Sequence, residues 1–140
     1  MKWLIPMACA LVLLPIHATA DNHLAQYWPE GSAMHTGRLA QERLAAADKE
    51  LNRVYQALLK AMPEDKPDDY PRRMLIAAQR AWMPYRDATC NLKGELTGAV
   101  RMWKSAYTVD CLADVTQART RELQNMLACA TQSEDCRQVP

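Results

Sequence analysis

Four side chains with hydrogen-bonding, cationic or redox chemistry follow one another at helical spacing in the middle of the chain. Gln79, Trp82, Arg86 and Cys90 are separated by three, four and four positions. On a helix with 3.6 residues per turn, this spacing places an amide, an indole, a guanidinium and a thiol along one stripe. A stripe that is neither purely apolar nor fully solvated needs specific partners from the rest of the fold.

Arg86, Asp87 and Arg119 carry the charges that an acid–base site would use. The alternative is a polar network in which the two guanidinium groups, each with five donors, hold a later helix against the stripe. The other members expected in this network are Asn52, Gln79 and Trp82. Structural ion pairs are a common alternative to functional ones, so the network is favoured and no catalytic residue is assigned. Arg119→Ala is therefore predicted to lower thermal stability.

The cysteines indicate an oxidising destination. Cys9 lies in an amino-terminal apolar segment, and beyond it the chain contains Cys90, Cys111, Cys129 and Cys136. An even number of cysteines in an exported chain predicts two disulfides, for which three connectivities are possible. A redox-active pair is disfavoured, because the sequence has no Cys-x-x-Cys motif and no α/β pattern around the cysteines.

Residues 1–20 have the features of a signal peptide. A lysine near the start is followed by a mostly apolar run, and Ala18-Thr19-Ala20 fits the small-x-small cleavage pattern. Cleavage is predicted rather than lipidation of Cys9, since Pro6 stands where a lipoprotein signal has leucine. The predicted location is the periplasm or the exterior, without a membrane span after cleavage.

The charge balance argues against nucleic acid as a partner. The chain has 17 Lys and Arg residues against 16 Asp and Glu residues, and loss of the signal peptide removes one lysine and no acid. No basic stripe with interleaved aromatic residues occurs in the sequence.

No cofactor is predicted, because there is no glycine-rich phosphate loop, nucleophile elbow or His-Glu-x-x-His motif. His23 and His35 have no neighbour at ligand spacing, so no metal site is assigned.

Three long amphipathic segments are expected to position these residues. The first helix is predicted over residues 36–62, with Thr36 as its N-cap. The second is predicted over residues 70–90, where Pro84 either bends the axis or divides the helix into two pieces, and the bend is favoured. The third is predicted over residues 105–129. Nothing alternates with period two for long, so the fold class is all-α: a small antiparallel bundle of three to four helices, stapled by disulfides.

The apolar residues of each segment recur three and four positions apart, which predicts one buried face per helix. The first face contains Leu44, Ala47, Leu51, Val54, Leu58 and Ala61. The second contains Leu75, Ala78, Trp82, Tyr85 and Thr89. The third contains Leu112, Val115, Arg119, Leu123 and Met126. Residues 91–104 are ambiguous between a loop, which Gly94 and Gly98 favour, and a short fourth helix.

Residues 36–140 are predicted to form a single domain, preceded by an irregular arm over residues 21–35. Trp28 is expected to dock this arm on the core, unless it is an exposed aromatic that binds a partner.

A proline-bounded acidic loop joins the first two helices, and Asp69 at its end can cap the second. The charged members of this loop are Glu64, Asp65, Lys66, Asp68 and Asp69. Such composition usually marks a solvated connector, and this loop is also the candidate partner-binding segment.

Three ordered blocks of residues carry a family resemblance. They are Asp48-x-x-Leu51-Asn52-x-x-Tyr55-x-x-Leu58, Gln79-x-x-Trp82-x-x-Tyr85-Arg86-Asp87-x-x-Cys90 and Cys111-x4-Thr116-x-x-Arg119-x3-Leu123. Together they resemble the LprI-type lysozyme-inhibitor N-terminal domain family over roughly residues 48–127. The resemblance implies a small exported helical fold with disulfides.

The resemblance also bears on the cysteines. It implies a bridge from Cys90 to Cys111, which encloses 20 residues and contributes about 3 kcal/mol on the chain-entropy estimate. Family members usually carry a cysteine-bearing helical stretch before the first block, whereas residues 21–47 contain no cysteine. Cys129 and Cys136 are then left to pair with each other.

The function that the resemblance implies is non-enzymatic inhibition of a lysozyme by occlusion. The acidic loop fits this role, because its carboxylates would steer the protein towards a cationic enzyme. Lys66 at its centre would then approach the two carboxylates of the lysozyme cleft. The alternative is an envelope accessory or immunity-type protein that binds another secreted effector. An enzyme is disfavoured, because no nucleophile–base set can be assembled from the sequence.

Overall fold

The structure, a computed structural model, describes residues 28–62 and 70–132. Helix α1 spans Ala33–Ala61, helix α2 spans Tyr70–Leu96 and helix α3 spans Arg101–Gln132. No strand occurs within the described ranges, and the predicted all-α class is confirmed. The predicted signal peptide and the acidic loop lie outside the described residues. None of the three helices is long and apolar enough to cross a membrane.

Helices α1 and α3 run parallel and provide most of the packing between helices. Gly37, near the start of α1, lies against Ala106 of α3. Further along α1, Arg43 contacts Asp114 of α3. Residue numbers therefore rise together along both helices, which places their amino termini at the same end of the bundle.

Helix α2 runs antiparallel to α3, and a disulfide joins the two. The Sγ atoms of Cys90 and Cys111 are 2.09 Å apart, and their Cα atoms are 5.5 Å apart. Nearer the start of α2, Gln79 contacts Arg119, so residue numbers fall along α3 as they rise along α2. The disulfide confirms the pairing implied by the family resemblance, and the helix directions make the fold an up–down–up bundle.

The apolar core lies in the half of the bundle nearer the α1–α2 connection. Its buried members are Leu51, Val54, Leu58, Leu75 and Leu123. The buried apolar residues that α1 and α3 contribute to the other half are small: Ala40, Ala47, Ala106 and Ala113. The distance between packed helices depends on the side chains at their contact, so these alanines allow α1 and α3 to approach closely there.

Helix α1 begins earlier than predicted. Ser32, rather than Thr36, is its N-cap, and Ser32 Oγ accepts a hydrogen bond from the backbone N–H of His35 at 3.2 Å. Thr36 already lies inside the helix, with its backbone N–H donating to the carbonyl of Ser32. Trp28, ahead of the cap, is partly buried and lines a groove between α1 and α3, which agrees with a docking role.

Helix α2 is longer than predicted. It passes through Pro84 as one helix, so the division into two pieces is wrong, whereas the bend remains a prediction. It continues to Leu96 and is followed by Gly98, whose φ of +63° lies in the left-handed region where glycine is favoured. No separate fourth helix occurs over residues 91–104, because α3 already begins at Arg101.

Gly94 lies inside α2 and is buried against α3. A β-carbon built on Gly94 would overlap Thr108 Oγ1 and lie 3.4 Å from the carbonyl oxygen of Lys104. The glycine is therefore required by the close approach of two helices and not by a turn. The Cys90–Cys111 disulfide joins the same two helices one turn away.

Replacing Gly94 by alanine is expected to destabilise the protein by about 1–3 kcal/mol, although alanine normally favours a helix. The added methyl group would overlap Thr108 Oγ1, so adding Thr108→Ala should recover most of the loss in chemical denaturation. Gly37→Ala is the matched control, because its β-carbon would lie 3.6 Å from Ala106, an ordinary contact. A Gly94→Ala variant as stable as the Gly37→Ala variant would contradict the close approach.

The predicted buried faces are right for most of α1 and partly wrong for α2 and α3. Tyr85 of α2 is 64% exposed and Met126 of α3 is 40% exposed, although both were predicted to face inward. The buried residues of α3 are Ala106, Ala113, Thr116, Thr120 and Leu123. Thr120 Oγ1 donates to the carbonyl oxygen of Thr116 at 2.9 Å, so its hydroxyl is satisfied within the helix and its methyl group can pack.

Candidate functional site

Arg86 is the centre of a polar cluster to which all three helices contribute. The residue is 8% exposed, and its guanidinium lies between the helices. Arg86 Nη1 donates to Asp48 Oδ1 of α1 at 3.1 Å and to Thr116 Oγ1 of α3 at 3.2 Å. Arg86 Nε donates to Asp87 Oδ1 at 2.9 Å. One side chain of α2 thus connects α2 to both other helices.

Trp82 packs on the same guanidinium. Arg86 Cζ lies 5.3 Å from the centroid of the Trp82 ring, about one turn earlier on α2. A cation placed over an indole face in this way contributes about 1 kcal/mol. Cys90, one turn later, is fully buried and bonded to α3. The helical spacing of the stripe therefore places its members in one column along the inner side of α2.

Arg119 forms a second polar contact between α2 and α3. Its Nε donates to Gln79 Oε1 at 3.1 Å, and its Nη1 donates to Glu122 Oε2 at 2.8 Å. The Arg119 side chain is 11% exposed. The hydrogen-bond partners of Arg119 differ from those of Arg86, so the residues predicted as one network form two clusters.

One predicted network member lies outside both clusters, and three unpredicted residues belong to them. Asn52 is exposed on α1 and is not a hydrogen-bond partner of either arginine among the described residues. The unpredicted members are Asp48, Thr116 and Glu122. Asp48 and Thr116 belong to the sequence blocks that carry the family resemblance. Their place in these blocks is the signal from which both could have been predicted as cluster members. Asp48 is exposed on α1, so its polarity alone does not indicate a partner on another helix.

Arg43 forms a further ion cluster that the sequence pattern did not indicate. It contacts Asp110 and Asp114, which lie one turn apart on α3, and Arg43 Nη2 is 2.6 Å from Asp114 Oδ1. The Arg43 side chain is 45% exposed. Exposed ion pairs typically contribute between about 0 and 1 kcal/mol, so this cluster serves the register of α1 against α3 more than their stability.

The hydrogen bonds and ion pairs of the polar clusters connect the helices to one another. Guanidinium groups remain protonated in proteins, and the carboxylates that Arg86 contacts on Asp48 and Asp87 are about half exposed. A lowered pKa occurs at Glu50, caused chiefly by a hydrogen bond from Arg53 on the exposed surface of α1. Over residues 28–62 and 70–132, no group of three or more His, Cys, Asp or Glu residues could hold a metal ion.

Arg119→Ala is expected to lower the free energy of unfolding by about 1–2 kcal/mol, because the buried side of the Gln79 amide loses its partner. Arg121→Ala is the control on the same helix, since Arg121 is exposed, and it should change stability by less than about 0.5 kcal/mol. Denaturant titration of Arg119→Ala, Gln79→Ala and the variant that combines them gives the coupling energy between the two side chains. Equal stability of the Arg119→Ala and Arg121→Ala variants would show that this contact does not hold α3.

The candidate partner-binding loop lies outside the described residues, but the structure fixes its attachment points. Its charged members are Glu64, Asp65, Lys66, Asp68 and Asp69. Arg72 Nη1, in the first turn of α2, donates to the carbonyl oxygens of Leu59 at 2.6 Å and Met62 at 3.0 Å. The end of α1 and the start of α2 are therefore tied together on either side of residues 63–69.

Cys129 is also disulfide-bonded. Its predicted partner, Cys136, lies outside the described residues, and that pairing remains a prediction. Cys129 lines an apolar groove of about 590 Å³ near the end of α3, together with Met62, Met74 and Met126. This cysteine therefore lies at the end of the bundle opposite to the Cys90–Cys111 bridge.

Comparison with known proteins gives one family and one relative. The family model described as Lysozyme inhibitor LprI matches residues 29–123. An uncharacterized protein of Rhizobium meliloti (strain 1021) is 34% identical over 108 residues, which cover 71% of this chain and 76% of the relative. No solved structure matches the chain. The matched region contains both arginine clusters and the Cys90–Cys111 bridge, and it ends before Cys129.

Proposed function

Because the chain belongs to the lysozyme inhibitor LprI family, we propose that it is an exported, non-enzymatic protein that inhibits a lysozyme by occluding its substrate cleft. The family match over residues 29–123 carries this proposal, since it includes residues of all three helices and the contacts that hold them together. A binding role agrees with polar clusters whose side chains connect helices. The Rhizobium meliloti relative is described only as uncharacterized and adds no activity to the proposal.

The acidic loop is the proposed contact surface. Residues 63–69 carry four carboxylates and one lysine, so the segment has a strongly negative formal charge. Opposite charge on a cationic enzyme would steer the encounter and raise the association rate. Pro63 and Pro67 restrict the loop backbone, and Arg72 holds its ends together, so less conformational entropy is lost on docking.

Lys66 gives the proposed contact a chemical role as well as a steric one. Glycoside hydrolysis by two carboxylates requires one of them to be protonated so that it can act as the general acid. A lysine ammonium placed beside both carboxylates favours their charged forms. The docked loop would therefore exclude substrate and also lower the pKa of the general acid.

The experiment is inhibition of cell-wall lysis by the purified, oxidised protein. We expect saturable inhibition at one-to-one stoichiometry with at least one structural class of lysozyme, and a matching complex in calorimetric titration. Titration against the enzyme separates this result from shielding of the cell-wall substrate. Unchanged lysis and no complex with any lysozyme class would overturn the proposal, and capture of partners from envelope extracts would then test the effector-binding alternative.

Neutralising the loop tests the proposed contact surface. Asp65→Asn combined with Asp68→Asn should slow association with lysozyme by about tenfold at low ionic strength, and the difference should shrink as salt is added. Asp110→Asn combined with Asp114→Asn removes the same charge from the α3 surface and is the control. Equal association rates for the two double variants would assign the contact to another surface.

A further inference from the structure

The end of the bundle at the α2–α3 connection carries a set of exposed apolar side chains. Leu96 and Val100 flank the connection and are 76% and 73% exposed, the highest values for large apolar residues in the part of the chain that the structure describes. The apolar tip, as we name this set, consists of Met34, Leu92, Leu96, Val100, Met102 and Tyr107. Exposed apolar side chains that gather at one end of a globular protein are typical of an interaction site.

The charge around the apolar tip is positive. Lys93 and Arg101 are exposed and form no ion pair within the described ranges, whereas Lys104 is paired with Glu95 at 2.6 Å. Glu30, ahead of α1, is a further acid at this end. Helices α1 and α3 both begin at this end, and neither has an acid in its first turn. The partial negative charge at the end of α2 offsets the partial positive charge of one of these amino termini, so that of the other remains.

Two side-chain contacts, one of them made by the tip residue Tyr107, hold the tip in shape. Thr97 Oγ1 donates to the carbonyl oxygen of Gly94 at 2.7 Å, which closes the end of α2. The rings of Trp103 and Tyr107 stack with their centroids 5.7 Å apart on the first turns of α3. Tryptophan and tyrosine are the side chains enriched where a protein meets a membrane–water interface. The apolar residues are therefore presented on a fixed support with aromatic residues beside them.

We propose that the apolar tip docks on a membrane surface containing anionic lipid, with Leu96 and Val100 entering the headgroup region. Lys93 and Arg101 would contact lipid phosphates. Apolar residues flanked by basic ones form the combination that binds anionic interfaces. A cationic protein does not complement this surface, so the inference stands apart from lysozyme inhibition. In this orientation the attachment points of residues 63–69, at the other end of the bundle, face away from the membrane.

Vesicle flotation with the oxidised protein tests the proposal. We expect binding to vesicles of phosphatidylglycerol and phosphatidylcholine to exceed binding to phosphatidylcholine alone by about tenfold, and to fall as salt is added. Equal binding to both vesicle types, or binding to neither, would overturn it. A concentration-dependent dimer that forms through the tip, without vesicle binding, would also overturn it and make the tip a self-association surface.

Two matched pairs of variants assign any binding to the tip. Leu96→Glu should lower the partition coefficient on anionic vesicles at least about tenfold, whereas Tyr85→Glu, at a 64% exposed site of the same helix, should not. Lys93→Gln should lower it about fivefold, with Arg80→Gln as the control of equal charge on α2. Far-ultraviolet circular dichroism establishes that each variant is folded. Equal losses in a variant and its control would place the contact elsewhere and overturn the assignment.

Discussion

Arg86→Ala is expected to lower the free energy of unfolding by about 3–4 kcal/mol and the melting temperature by on the order of 10 °C. The substitution removes the hydrogen bonds that connect α2 to Asp48 of α1 and to Thr116 of α3. It also leaves a cavity between the helices and exposes the face of Trp82 on which the guanidinium packs. Thermal and denaturant unfolding of the oxidised protein measure the loss.

Further variants separate the contributions of volume, charge and hydrogen bonding to the stability that Arg86 provides. Arg86→Met fills most of the volume without the charge, and Arg86→Lys keeps the charge without the planar fork of donors. If the hydrogen bonds dominate, both variants should lose most of the stability that alanine loses. Arg80→Ala, at an exposed position of the same helix, should change stability by less than about 0.5 kcal/mol. An Arg86→Ala variant as stable as Arg80→Ala would refute the central role of Arg86.

Removing the Cys90–Cys111 disulfide is expected to cost about 3 kcal/mol, because the bridge restricts the unfolded chain over a separation of 21 residues. Alanine at both positions is the suitable pair of substitutions, since a serine hydroxyl at position 90 would be buried. The α2–α3 contact would then depend on Arg86, Arg119 and the close approach at Gly94. Denaturant unfolding of the double variant against the oxidised parent measures the loss. Equal unfolding midpoints of the double variant and the oxidised parent would contradict this contribution of the bridge.

The residues on the inner side of α2 could be predicted from the sequence, because they lie on one regular helix. The three-four-four spacing of Gln79, Trp82, Arg86 and Cys90 is a property of the helix itself, and a single helix runs through these positions. The apolar face of α1 was predictable for the same reason, since Leu51, Val54 and Leu58 need only one apolar neighbour of any kind.

The features that sequence reasoning missed depend on how closely two helices approach. Gly94 indicates a helix break by its propensity, yet it lies inside α2 because Thr108 of α3 occupies the space of a β-carbon. The hydroxyl groups of Thr116 and Thr120 suggest exposed positions, but their hydrogen bonds allow both residues to be buried on α3. Asp48 lies on the polar side of α1, and only the position of Arg86 on another helix makes it a partner.

The parallel packing of α1 and α3 dictates the order in which the chain can fold. Helix α1 packs mainly on α3, the last helix in the described part of the chain, through contacts such as Gly37 with Ala106 that join residues far apart in sequence. Contacts of such long range form late and slow the folding of the whole chain. A nascent chain that still lacks α3 can bury the leucines of α1 only against the few apolar residues of α2, such as Leu75. For the exported protein that we propose, this delay would keep the polypeptide threadable through a translocation channel until α3 has crossed.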